Sequence, residues 1–324
     1  MRIPFRQLLA CLSIVMSIGG SFDVVADESY PSRPIRVIYP FPPGGVGDAL
    51  TRFILEKVSV KLGQPIFVDN KPGATGNVGT EIMAHAKPDG YTLLSTPPPP
   101  LVVNQNLYPN LPFDPAKFVP ISVLALSSNV LVVNPKVSAN SVGELIAQAK
   151  ASPGKLNYAS TGSGGTPHLT MEWFKSAANV DLTHVPYKGV QSYLPLLAGE
   201  VDVMFMNIAD ALPYIRSGKL RVLAIGGVRR NAAIPDVPTL AETIPGFVSV
   251  TWFGVVATPG TPAVTAEKLS AAIADALQSP EVKKKLADLH VEPVGGSPAQ
   301  AGAFFKAETE RWAKVINTAR IKPD

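Results

Sequence analysis

Short apolar runs alternate with amphipathic stretches over most of this chain, the pattern of strands and helices taking turns. Residues 35–40 read as a buried strand. The helix expected from about Asp48 carries Leu50, Phe53, Ile54, Val58 and Leu62 on one face, with Gly63 as its stop. A strand at 66–68, a loop at 70–77, a helix to about Ala86, the turn Lys87-Pro88-Asp89-Gly90 and a strand at 91–95 follow. This β-α-β-α-β succession predicts a parallel sheet wrapped by helices through right-handed crossovers. Pro97 to Pro100 lack backbone donors and are expected to leave the sheet as a loop. That loop lies at a strand's C-terminal end, the side where open α/β sheets bind ligands.

Two longer extended runs stand apart from the alternation. The first covers 121–126 and resumes at 130–133 after the polar break Ser127-Ser128-Asn129; the second covers 247–257. Between them the pattern restarts. Ser141 and Glu144 form a capping box that opens a helix to about Ala151. Strands are then expected at 156–160, 183–185, 201–206 and 221–225, with helices to Ala178, at 190–198 and to about Ser217. Residues 262–320 are predicted to be mostly helical, with Phe304, Phe305, Glu308, Trp312, Val315 and Ile316 on one side of the last helix. The expected architecture is therefore α/β and two-lobed. Lobe 1 is discontinuous, 27–126 and 251–324, and lobe 2, 127–250, is inserted in it; two crossing strands form a hinge around a cleft.

The N-terminus changes the picture of where this chain works. Arg2 and Arg6 precede a short apolar stretch from Leu8 to Ile18, and Val24-Val25-Ala26 has the small residues of a cleavage site, so residues 1–26 read as an export signal. The apolar run is shorter than the roughly 20 residues that span a bilayer. The single cysteine, Cys11, falls inside this signal, which leaves no disulfide for the mature chain. The formal net charge of the 324 residues is +4, and the Lys and Arg residues are scattered. The one basic run, Lys283 to Lys285, is flanked by Glu281 and Asp288 as on a solvated helix face, and no nucleic-acid partner is indicated.

The candidate chemistry sits in two glycine-rich loops, each between a strand and a helix. One is Pro40-Phe41-Pro42-Pro43-Gly44-Gly45-Val46-Gly47-Asp48; the other is Ser160-Thr161-Gly162-Ser163-Gly164-Gly165-Thr166-Pro167-His168. Thr166 as N-cap before Pro167 would leave backbone N–H groups converging at a helix start, where the dipole favours a carboxylate or phosphate. Two such cradles suit a ligand with two acidic ends, or one clasped from both sides. Asp48 fits an N-cap that organises its loop, while its charge opposes an anion beside it. His168 suits either an anion donor or packing of the first helical turn. His184 reads as structural, Tyr187 and Trp252 as core or hinge packing, and the four histidines show no metal spacing. Ser163 lacks the glycine two residues before it that a hydrolase elbow needs, and neither loop completes a dinucleotide or P-loop fingerprint.

The ordered motifs are more specific than any one loop. Pro40-Phe41-x-x-Gly44-Gly45-x-x-Asp48, Asn70-Lys71-Pro72-Gly73-Ala74-x-Gly76, Pro88-Asp89-Gly90-Tyr91-Thr92-Leu93, Pro153-Gly154-Lys155-Leu156-Asn157-Tyr158, Gly162-Ser163-Gly164, His168-Leu169, His184-Val185-Pro186-Tyr187-Lys188-Gly189 and Asp236-Val237-Pro238-Thr239 follow one another along the whole mature chain. In this order they resemble the substrate-binding receptors of tripartite tricarboxylate transporters, the Bug-type receptors. The resemblance implies a two-lobe periplasmic-binding-protein fold, type II-like, each lobe a parallel-rich sheet flanked by helices. It further implies a monomeric periplasmic protein without cofactor or catalysis. Such a receptor closes on a small carboxylate and hands it to a permease of one large and one small subunit. Ligand contacts carried over from the family fall on Phe41, Pro43, Gly44, Gly45, Asp48, Thr96, Ser160, Thr161, Gly164, Thr166, His168 and Asn207.

This chain departs from the family pattern in three places. Met206 stands where an acidic residue is common, Val46 where the residue is usually small or polar, and Thr96-Pro97-Pro98-Pro99-Pro100 where the loop is usually more polar. A less acidic, more apolar flank favours a dicarboxylate with an aliphatic or aromatic spacer over amino acids and hydroxylated ligands. A sensor receptor that signals to a two-component system would use the same cleft. A secreted hydrolase is the remaining alternative.

Overall fold

The computed structural model describes residues 30–321, so the export signal lies outside the described residues. In chain order the elements are β1 (Ile35–Tyr39), α1 (Val46–Leu62), β2 (Ile66–Asn70), α2 (Asn77–Ala84), β3 (Thr92–Thr96), α3 (Asn104–Leu107) and β4 (Val119–Val133). There follow α4 (Val142–Ala151), β5 (Asn157–Ser160), α5 (Thr166–Ala178), β6 (Thr183–Pro186), α6 (Tyr193–Ala198), β7 (Val203–Asn207), α7 (Ile208–Arg216) and β8 (Arg221–Ile225). The chain ends with β9 (Val250–Ala257), α8 (Ala263–Gln278), α9 (Pro280–Asp288), β10 (Val291–Gly295) and α10 (Pro298–Ala319).

Strand β4 is the axis of this arrangement. Its first part, Val119 to Ser128, pairs antiparallel with β9 and, over Val123 to Ser127, with β10; its second part, Asn129 to Val133, pairs with β7 and, from Val130, with β8. Around the first part the order runs β2-β1-β3-β9-β4, with β2, β1 and β3 parallel; around the second it runs β4-β7-β5-β6, with β7, β5 and β6 parallel. The polar triplet Ser127-Ser128-Asn129 therefore does not interrupt the strand as its composition suggests. It stays in the ladder, where the side chain of Asn129 is hydrogen-bonded on both sides of its amide and the Ser127 Oγ is buried without a partner. Asn129 Nδ2 donates to Ser249 Oγ at 2.8 Å, Thr251 Oγ1 donates to Asn129 Oδ1 at 3.1 Å, and Thr170 Oγ1 lies 3.1 Å from Ser249 Oγ.

Period-two patterning assigns the strand faces directly. Leu131 and Val133 of β4 and Val203 and Phe205 of β7 pack with Leu145 and Phe174 on one side of the sheet. Val130, Val132, Met204 and Met206 pack with Leu196, Ile208 and Ala211 on the other. Both faces are covered, which explains why these strands lack polar alternation. A separate core joins Ile38, Leu94, Val123, Trp252 and Val256 to Trp312, Val315 and Ile316 of the last helix. Trp252 is fully buried, stacks on Phe305 and donates its Nε1–H to Glu308 at 2.8 Å, so it is packing, as expected.

Three local expectations shift. The N-cap of α1 is Gly45 and Asp48 sits in the first turn, because Asp48 is drawn inward to Arg52 and Asn70. The N-cap of α5 is Gly165, which puts Thr166 and Pro167 in the first turn. The stretch 262–320, expected to be mostly helical, contains β10, an edge strand closed by Gly295 at φ 72°.

The junction within β4 tolerates no added bulk. Gly226 N–H donates to the Asn129 carbonyl at 2.6 Å and its own carbonyl accepts from Ser249 N–H at 2.8 Å, so a side chain at 226 meets the Ser249 backbone. Gly226→Ala is expected to lower unfolding free energy by about 1–3 kcal/mol in urea denaturation, the usual cost of overpacking a close backbone approach. A wild-type midpoint would show that this crossing is loose.

Candidate functional site

The loops after β1, β3, β5 and β7 meet at the C-terminal ends of their strands. They enclose a cavity of about 110 Å³, room for several waters or one small ligand. A second space of about 410 Å³ adjoins it and shares Phe41, Pro42, Thr161, Gly165 and Gly189 with it. The wall of the first cavity is largely apolar, with Phe41, Val46, Val190, Met204, Met206 and Phe253. Its polar members include Thr161, Thr166, Tyr193, Asn207, Asp210 and Thr251, and no Lys, Arg or His is among the lining residues.

Five of the twelve residues anticipated from sequence line this cavity: Phe41, Gly45, Thr161, Thr166 and Asn207. The other seven, Pro43, Gly44, Asp48, Thr96, Ser160, Gly164 and His168, lie behind or beside it. Asp48 holds the first loop together: its carboxylate accepts from Asn70 Nδ2 at 3.0 Å and Arg52 Nε at 3.2 Å, with the Gly44 N–H at 3.4 Å. Thr96 is fully buried and donates to the Pro97 carbonyl at 3.1 Å.

Much of the second cradle's hydrogen-bonding capacity is used within the protein. Gly162 N–H donates to Ser160 Oγ at 3.2 Å, Gly164 N–H to His168 Nδ1 at 3.0 Å, and Gly165 N–H to the Gly162 carbonyl at 3.0 Å. Accepting from Gly164, the buried His168 supports the loop from behind and is not aimed at an anion. Its ring stacks on His184 at 4.2 Å, which stacks on Tyr158 at 4.7 Å and lies 2.7 Å from Ser160 Oγ through Nε2. The converging free N–H groups expected from the sequence are thus an internally bonded loop. It presents Thr161 and Thr166 to the cavity.

The loop also reaches across the cleft. Thr75 Oγ1 donates to the Ser163 carbonyl at 2.7 Å, and Thr75 itself sits at φ 51°, an unusual conformation for a β-branched residue. Its carbonyl accepts from Asn104 Nδ2 at 3.1 Å, which helps to hold that geometry. Strain held in place by several partners at a cleft is a common mark of function.

Three titratable residues of the wall, Tyr39, Tyr193 and Asp210, are among the lining residues that escaped the sequence reading. Tyr193 Oη donates to Asp210 Oδ2 at 2.9 Å, and the Asn207 amide and the Val46 backbone N–H add weaker polar contacts to the same carboxyl. Burial pushes the Asp210 carboxyl above the ordinary carboxylate range, and these three donors oppose that shift without cancelling it. Burial, with Asp48 and Asp210 nearby, pushes the Tyr39 phenol far up; burial and Asp210 do the same to Tyr193, so both stay neutral. Asp210 brings a carboxyl to the wall four residues after Met206. It lies in the first turn of α7, beyond the alternation of β7.

The comparisons with known proteins bear on this geometry. A family model described as the tripartite tricarboxylate transporter family receptor matches residues 50–321. The chain belongs to this receptor family. Protein BugT of Bordetella pertussis is 38% identical over 320 residues, covering 98% of each chain. The solved structure of R. palustris Rpa4515 with adipate is 34% identical, with a TM-score of 0.86, covering 91% of this chain and all (100%) of that one. MatC from Rhodopseudomonas palustris with bound malate is 31% identical, with a TM-score of 0.83 over 89% of this chain and 100% of that one. The family consists of periplasmic solute-binding receptors with the two-lobe fold, and it is not an enzyme family. Among the described residues of this receptor, no helix is long and apolar enough to cross a membrane.

Gly47 gives the receptor's cavity a direct test. A Cβ at this position overlaps the Tyr39 hydroxyl and the Phe253 ring, both cavity walls. Gly47→Ala is expected to weaken binding of a cleft ligand at least about tenfold, a loss of about 1.4 kcal/mol, with far-ultraviolet circular dichroism unchanged. Unchanged affinity by titration calorimetry would place the ligand elsewhere.

Proposed function

We propose that this protein captures a small dicarboxylate in the cleft between its lobes and delivers it to a membrane permease of one large and one small subunit. The observation that carries the reading is the cavity at the strand ends, apolar along much of its wall, with polar groups from the second glycine-rich loop and from Tyr193, Asn207, Asp210 and Thr251. Two relatives of the same fold hold adipate and malate, both dicarboxylates. Export through the N-terminal signal, cut near Ala26, would place the mature receptor in the periplasm, and no catalytic step is part of this role.

The lobes we assign are 27–126 with 251–324, and 127–250, hinged where β4 and β9 cross. Under this division the Thr75 hydrogen bond to Ser163 links the two lobes, as does the approach of Gly189 to Pro42. Closure around a ligand then adds contacts from both sides of the cleft.

The apolar wall favours a ligand with a hydrocarbon middle. Phe41, Val46, Val190, Met206 and Phe253 offer no partner to hydroxyl or amine groups along the spacer, and burying an unpaired polar group costs about 1–3 kcal/mol. A thermal-shift screen of mono-, di- and tricarboxylates tests this. Aliphatic or aromatic diacids should raise the melting temperature in a concentration-dependent way, equivalent to about 2.7 kcal/mol at one hundred times Kd. Tight binding of citrate or aspartate, with no response to apolar diacids, would overturn the ligand assignment.

A further inference from the structure

One end of the cavity has an unusual balance of donors and acceptors. Asp210 is half-buried in the wall, and beside it the Asn207 Oδ1 atom is buried without a hydrogen-bond partner. The Asn207 amide group turns its N–H side toward Asp210, which fixes Oδ1 as the group left over. Two acceptors therefore sit at a wall that carries no Lys, Arg or His. The Val46 N–H at the start of α1, which could have met a ligand carboxylate, already faces the Asp210 carboxyl. A fully ionised dicarboxylate entering here would bring more acceptors and no donor to a desolvated acid, and like charges at such range repel strongly.

We propose that Asp210 reads the ligand through a shared proton: on binding, the protein takes up one proton from solvent, and the Asp210 carboxyl donates it to the ligand carboxylate that faces it. The balance is simple. Ionised Asp210, the ligand dianion and one proton give a complex carrying one proton fewer than two neutral acids would hold; no covalent bond is made or broken. The inference rests on the dicarboxylate reading of the cleft. It makes Asp210 a specificity residue, favouring ligands whose facing group can accept a hydrogen bond from a neutral acid.

Among the titratable groups around it, Asp210 is the carboxyl that burial raises. Tyr193 from α6, Tyr39 from β1 and Tyr214 from α7 are phenols; Tyr193 and Tyr39 are pushed further up by burial, and Tyr214 acts on Tyr193. Asp48 of α1, which also acts on Tyr39, is held by Arg52 and Asn70. The sign follows from linkage. Because the complex holds the proton more tightly than the free protein, affinity rises as pH falls through the bound-state value and levels off below the free-state value.

The test is titration calorimetry of the mature wild-type protein with adipate from about pH 6.5 to 8.5, above the ordinary range of the ligand's own carboxyls. It is run in buffers of different ionisation enthalpy. The expected result is net uptake approaching one proton and a Kd that weakens toward tenfold per pH unit. Asp210→Asn should bind with no proton uptake and a flat pH profile, and more tightly than wild type at the upper end. Adipate binding with no uptake and a flat wild-type profile overturns the proton-sharing role while leaving the dicarboxylate reading standing. If only ligands with their own hydroxyl or ammonium donor bind, without uptake, the acceptors are satisfied by the ligand and the proposal is wrong. If no dicarboxylate binds at any pH in this range, the reading of the cleft fails and the proposal with it.

Discussion

The structure depends on one strand serving two sheets. β4 has fifteen residues, well beyond the usual strand, and it stays paired along nearly its whole length with different partners before and after Ser128. A strand can do this only if its backbone remains hydrogen-bonded where the partners change. Here the exchange occurs over Asn129, Gly226 and Ser249, whose main-chain groups bond to one another while the Asn129 side chain binds Ser249 and Thr251. That polar junction is buried, so each of its groups has to find a partner inside the protein. It also sets the cleft, because Thr251 belongs both to the junction and to the cavity wall.

The fold was largely legible because both sheets follow simple periodicity. Alternate residues of β4 and β7 go to opposite cores, and the Leu50, Ile54 and Val58 stripe of α1 is buried as a helical repeat requires. The misreadings cluster where a side chain finds a distant partner. Ser127 to Asn129 reads as a polar break by composition; it is strand because β9 pairs with it, and Ser249 and Thr251, more than a hundred residues away, complete the hydrogen bonds of the Asn129 side chain. Asp48 looks like a cap, yet Asn70 and Arg52 draw it into the first turn. β10 is short and mostly exposed, with a proline inside it, so little in its own residues marks it as a strand.

The site was legible as a place and less so as a set of contacts. Glycine-rich loops at strand ends locate the cleft, and five anticipated residues reach the cavity. What sequence could not supply was the internal use of the same loops. A backbone N–H looks available until its acceptor is known, and the acceptors here are His168, Ser160 and Asp48, each within a few residues of the donor but on a folded-back turn. Motif spacing cannot show that reversal, since an anion cradle and a self-bonded loop use the same glycines.

Self-bonded loops also give the cleft its division of labour. Loops that satisfy themselves are rigid without ligand, so little ordering entropy is lost when one arrives. Their cost is that they offer few donors, and in a wall lacking cationic side chains the charge of a carboxylate has to be met in some other way. Hydroxyls from Thr161 and Thr166 can meet part of it. Contacts across the cleft, such as Thr75 to Ser163, contribute about 0.5–1.5 kcal/mol each. A contact of that size shifts a two-state equilibrium by roughly tenfold at most. Where donors are scarce, the protonation state of a wall acid weighs more in the electrostatics of the cavity. Asp210, in the first turn of α7 directly after β7, lies against the start of α1, with the Val46 N–H facing its carboxyl.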